Sequence, residues 1–177
     1  MSSNISAKKR EETHIKSLII QLNNRNGLVR TKARESLKLF GHKAVDFLAE
    51  HLVNKKKIIR WEVVKTLLEI RDLHSGSLFL LALKDEDPDV RWLAAEGLIS
   101  LGESGVITIL EGLISNIDSF YIRKGAHHVL KEYSKHYSSR KLNKLLSTLI
   151  KSDSEFYSPM AAIKFLRELR EETNKNH

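Results

Sequence analysis

Asp85-Glu86-Asp87-Pro88-Asp89-Val90-Arg91-Trp92-Leu93-Ala94-Ala95-Glu96-Gly97-Leu98 reads as a turn leading into an amphipathic helix. Asp87 is placed to cap the helix and Pro88 to occupy its first turn, where a missing N–H costs nothing. The core of this stretch is an apolar residue, then arginine, then a small residue and a leucine at helical spacing. It recurs as Val29-Arg30…Ala33…Leu37, Ile59-Arg60…Val63…Leu67 and Ile122-Arg123…Ala126…Leu130. A worn fifth copy, Tyr157…Ala161…Phe165, carries Ser158 in the basic place. The anchors are separated by 30, 31, 32 and 35 residues, room for two helices and a turn. A period in that range predicts an all-α solenoid of stacked helix pairs, because no single pair buries its apolar face alone.

The first helix of each pair carries apolar residues at i, i+3 and i+4: Ile15, Leu18, Ile19 and Leu22; Val45, Leu48 and Leu52; Leu78, Leu80 and Leu81; Ile107, Leu110, Leu113 and Ile114; Leu142, Leu145, Leu146 and Leu149. Turn residues fall between the members of each pair, at 24–27, 54–57, 85–89, 116–119 and 152–154. The expected pairs are therefore 11–41, 42–73, 74–103, 104–138 and 139–172, with a flexible basic N-terminus over 1–10 and a disordered tail over 173–177.

Composition sets bounds on function. The chain of 177 residues is 41% hydrophobic and 29% charged, a globular balance. It has no cysteine, which excludes disulfides and cysteine-ligated metal centres and fits a reducing compartment. Met1 to His14 lacks the apolar core of a secretory signal, and no run approaches the ~18 apolar residues of a membrane span. The expectation is a soluble, cytoplasmic, monomeric protein that does not enter membranes. The net charge of +8 is unevenly spread: residues 1–41 hold 9 basic against 3 acidic side chains, whereas 74–103 hold 2 against 6. An acidic repeat thus interrupts any continuous track for phosphates.

Residues 85–102 closely resemble the HEAT repeat, in the variant first associated with phycobilin lyase subunits. By period and anchor spacing the resemblance extends from about residue 11 to 172. It implies a right-handed curved stack, first helices convex and second helices concave, that serves as a scaffold or binding surface. In similar proteins the anchor arginine pairs with an acidic cap of its own or a neighbouring repeat. Asp89 and Asp118 are available to Arg91 and Arg123, while the second pair has no local acid.

On a helical wheel that buries Val90, Ala94 and Leu98, Trp92 points to the opposite side with Glu96 and Ile99 beside it. Trp61 occupies the same position one repeat earlier, with Lys65 and Leu68, and Lys124, His128 and Lys131 occupy it one repeat later. These nine residues are the candidate concave binding face for a protein or peptide, with the indoles as apolar anchors. The alternative is that each indole folds back as packing. Lys55, Lys56, Lys57 and Arg60 form the densest basic cluster and are candidate anion contacts, so nucleic acid is the second candidate partner. His128, Glu132 and His136 share a helical face but span ~12 Å, too far for one ion. No metal site, cofactor or hydrolase motif is expected. The grouping of Trp61, Trp92 and Glu96 is loosely similar to HEAT-like alkylpurine DNA glycosylases. Such an enzyme, or a chromophore-lyase subunit, is the third reading and would depend on Glu96.

Overall fold

The computed structural model describes residues 2–151 and 154–175, with side chains at 5–151 and 157–172. Among the described residues ten α-helices follow one another: α1 (Ser2–Gln21), α2 (Gly27–Phe40), α3 (His42–Ala49), α4 (Lys57–Ile70), α5 (Gly76–Ala82), α6 (Pro88–Ser100), α7 (Glu103–Ser115), α8 (Phe120–Tyr133), α9 (Arg140–Leu149) and α10 (Ser154–Lys175). A 3-10 turn, Leu73–Ser75, precedes α5. No strand occurs among the described residues. Residues 2–10, expected to be a flexible extension, continue α1 as helix. Residues 173–175 of the expected tail lie in α10, and 176–177 fall outside the described residues.

Local chemistry sets the helix starts. Asn26, Asp87, Ser119 and Ser139 each accept a backbone N–H of the helix they cap, and Pro88 sits in the first turn of α6 as expected. The second helices bury the repeated pattern: Ala33, Val63, Ala94 and Ala126, then Leu37, Leu67, Leu98 and Leu130, are all sealed from solvent. In α5 the buried residues are Phe79 and Ala82, continued by Leu83, whereas Leu81 faces outward.

Through four pairs the second helices stack in order, α2 on α4, α4 on α6 and α6 on α8. The fifth pair departs from this order. Helix α10 packs against α7 far more than against α8, and Arg170 reaches Glu111 across that contact at 3.1 Å. The core register of α10 also differs from the expected one. Tyr157 is exposed, while Ser158, Ala162, Phe165, Leu166 and Leu169 are buried. The tyrosine is not the anchor, and the inward row begins one residue later.

Each of the four anchor arginines caps its own inter-helix turn. Nη1 of Arg30, Arg60, Arg91 and Arg123 donates to the carbonyl six residues earlier, at 2.8, 2.8, 2.7 and 2.7 Å. Arg30 and Arg60 also reach carboxylates of the next pair. Arg30 Nε donates to Glu62 at 2.5 Å, and Arg60 binds Asp85 through Nε at 2.7 Å and Nη2 at 3.0 Å, with Glu86 at 2.8 Å. The second pair therefore takes its acids from the third. Asp89, expected to serve Arg91, instead lies 3.0 Å from Lys57 Nζ.

Two tests follow from this packing. Arg60 is only 5% exposed, and removing one member of a buried ion pair leaves the other uncompensated. R60A should lower unfolding free energy by about 3 kcal/mol or more in urea melts, and a cycle with D85A should show strong coupling. A Cβ at Gly105 would stand 1.9 Å from the Leu98 carbonyl oxygen, so α7 meets the backbone of α6 where only glycine fits. G105A should cost about 2 kcal/mol or more, because a backbone atom cannot swing aside.

Candidate functional site

The site is a groove of about 240 Å³ between α6 and α8, lined by residues that include Trp92, Tyr121, Lys124 and His128. Its cause is visible in the repeat. Three residues past each anchor, a side chain on one second helix faces the helix before it, and five past the anchor a side chain faces forward. Glu62 of α4 takes the first position and accepts from Arg34 of α2, in the second, at 2.5 Å. Val64 and Leu93 are the equivalent couple between α4 and α6, and both are buried. Between α6 and α8 the couple is Ala95 and Gly125, the smallest of the three. A Cβ at Gly125 would stand 2.8 Å from Leu83 Cδ2, so the Leu83 side chain fills the space at the glycine and, with Ala95, floors the groove.

The walls are aromatic and cationic. Arg91, fixed by the carbonyls of Asp85 and Glu86, lies with its guanidinium 4.2 Å from the centre of the Tyr121 ring. This cation–π contact ties the third pair to the fourth. Phe120 meets Tyr121 edge-on at 5.8 Å, and both rings stay exposed. Trp92 is 58% exposed on the opposite wall. His128 Nε2 lies 2.9 Å from Glu96 Oε1, one repeat back, which orients the imidazole at the groove's end. Beside it, burial and then the charge of Lys131 pull His127 below the usual histidine range.

The candidate residues are thus distributed unevenly. Trp92, Lys124 and His128 line the groove, with Glu96 directly behind. Trp61 belongs to the preceding interface, is half-buried and packs on the core, as do Leu68 and Ile99. Lys65 lies 3.9 Å from Glu69, and Lys131 is exposed on α8. The basic cluster is largely committed: Arg60 is buried in its ion pair, and Lys57 Nζ contacts Asp87 at 2.7 Å as well as Asp89. Arg60 is therefore not an anion contact, because its guanidinium is already enclosed by carboxylates and carbonyls. Lys55 and Lys56 remain exposed. Glu132 pairs with Lys135, and α8 ends at Tyr133, so His136 lies in the following turn and, contrary to expectation, does not share a helical face with His128 and Glu132.

The sequence reading missed Arg91, Tyr121, Leu83 and Gly125 as parts of one site. Aligning Gly125 with Lys32, Glu62 and Leu93 would have shown that this copy has no side chain where the others do. A larger hollow of about 420 Å³ lies between α9 and α10, lined by Lys141, Lys144, Lys151 and Lys164 with Tyr157 and Met160.

The fold is that of a HEAT-like right-handed helical solenoid, and its site is a groove between two second-layer helices. The chain superposes on a chain of the phycocyanin lyase CpcE–CpcF complex from Nostoc sp. PCC7120 with a TM-score of 0.57. That match covers 88% of this chain and 98% of the other at 22% identity, a likeness of fold. In sequence, 85 residues are 29% identical to a deoxyhypusine hydroxylase from Debaryomyces hansenii, covering 47% of this chain. The chain matches only 27% of that relative's length. No protein-family model matches the chain. No helix among the described residues is long and apolar enough to cross a membrane.

The two tryptophans should respond differently to truncation. W61A removes a ring packed on the core and should lower the melting temperature by several degrees. W92A removes a ring mostly in water and should leave it within about one degree. Thermal melts followed by circular dichroism make the comparison.

Proposed function

We propose that this protein is a non-enzymatic interaction module that binds a peptide segment of a partner protein in the α6–α8 groove. The observation that carries this reading is the groove of about 240 Å³ floored by Leu83 and Ala95 beside an exposed Trp92. An apolar floor accepts one side chain, the indole covers it, and the Lys124 and His128 rim selects a nearby carboxylate. The segment expected is therefore an aliphatic or aromatic residue with Asp or Glu close by. In this reading the groove lies on the concave side of the stack. The tighter packing among second helices than among first helices supports that side as the inner one. The structural neighbour, a lyase subunit in complex with another protein, is consistent with a protein partner. The reading places the protein in the cytoplasm.

Selection from a random peptide display library against the intact chain tests the proposal. Enriched peptides should pair an apolar residue with an acidic one. W92A should weaken them by at least about tenfold, or ~1.4 kcal/mol. K124E, which reverses the charge of the groove's rim, should abolish the preference for acidic residues while helicity is kept. Peptides that bind wild type, W92A and K124E equally, or no enrichment at all, would overturn it.

Nucleic-acid binding by the first pairs is the second reading, favoured by the +6 balance of residues 1–41 and exposed Lys55 and Lys56. The commitment of Lys57 and Arg60 to carboxylates weakens it. Its signature is affinity that falls steeply with salt.

A further inference from the structure

A second cluster lies away from the groove, on the ridge where each pair passes to the next. Helices α2 and α4 end in left-handed residues, Gly41 at φ 54° and Arg71 at φ 57°. The residues that follow them, His42 and Asp72, occupy equivalent positions one repeat apart, so stacking brings their side chains together. Asp72 then caps the 3-10 turn by accepting the backbone N–H of His74 at 2.8 Å, which directs that histidine to the same point. His42 Nδ1 lies 3.0 Å from Asp72 Oδ2, and His74 Nδ1 lies 2.8 Å from Asp72 Oδ1. The two imidazole rings are 4.8 Å apart, and one ligand atom from each of the three residues lies within 4.8 Å of the others.

We propose that His42, Asp72 and His74 form a binding site for a divalent transition-metal ion of the zinc class that clamps the second helix pair to the third. Two imidazole nitrogens and one carboxylate oxygen are a borderline donor set that suits zinc, copper or nickel and not calcium or magnesium, which take oxygen. With metal–ligand bonds of ~2.1 Å, neighbouring ligands of a tetrahedral ion stand about 3.4 Å apart, which lies between the 2.8 and 3.0 Å imidazole–carboxylate distances and the 4.8 Å that bounds the three ligand atoms. Binding exchanges each imidazole–carboxylate contact for a bond to the ion and leaves the fourth position to water. Both histidines are mostly exposed, which gives the ion a path in. Asp72 is mostly buried and held by a backbone N–H, so the carboxylate is the fixed point to which the rings adjust. The clamp joins residues thirty and thirty-two apart, on two pairs, and in a stack whose pairs touch only neighbours it acts on that one interface.

The test uses the full chain after chelator treatment and dialysis. Titration with Co2+ should give the visible absorption of four-coordinate cobalt, saturating at one ion per chain and bleached by Zn2+. Added ZnCl2 should raise the melting temperature by several degrees, since the ion binds the folded ridge. H42A and H74A, exposed changes that keep the fold, should each weaken cobalt binding by more than about tenfold and remove the thermal shift. H136A, in the turn that follows α8, should leave both unchanged. Absence of the cobalt band, or a band and thermal shift retained in H42A and H74A, would overturn the proposal.

Discussion

Each helix pair in this chain is left half-finished by its own sequence and completed by its neighbour. The apolar part of that completion is the row Ala33, Val63, Ala94 and Ala126 with its following leucines, all buried between second helices. The polar part runs over the same distance. Arg30 with Glu62, Lys43 with Glu11, Lys57 with Asp89, and His128 with Glu96 are each separated by 32 residues, close to one repeat. A side chain at one position of a pair therefore meets a side chain at nearly the same position of the next. Stability in such a stack is a sum over adjacent interfaces, so a fault at one contact is felt first at that contact.

The anchor arginine connects this stacking to the groove. Its guanidinium is first used to close a turn, by donating to the carbonyl six residues back. That bond fixes the group in space at little further entropic cost, so its remaining edges and faces are oriented for use. In the second pair the free edge grips Asp85 and Glu86. In the third pair the face lies against Tyr121 and becomes one wall of the groove. The same backbone device thus serves stability in one copy and recognition in the next.

The sequence made the architecture legible because a periodic core is a local pattern repeated: the helices, their caps and the buried leucines all follow from spacing. Errors came where contacts depend on a partner one repeat away. The acids for Arg60 sit in the following turn, and the local search around 54–60 could not find them. His42, Asp72 and His74 escaped notice for the same reason, since a search for metal spacing within one helix never compares residues thirty apart. The fifth pair failed differently. Its inward row starts at Ser158 instead of Tyr157, and α10 turns onto α7, so the apolar–basic pattern was a poor guide there.

These failures share a physical logic. Positions that every copy fills alike, such as the buried leucine eight past each anchor, are explained by packing and carry no information about a partner. A position where one copy differs is informative only if its equivalents define what should stand there. Gly125 is unremarkable alone; beside buried Glu62 and Leu93 it marks the place that Leu83 occupies as the groove's floor, next to an exposed indole. Trp92 and Trp61 show the converse, since equal positions gave unequal exposure and only Trp92 lines the groove. In a stacked array the repeats are their own reference, and the departures from that reference are where a ligand finds room.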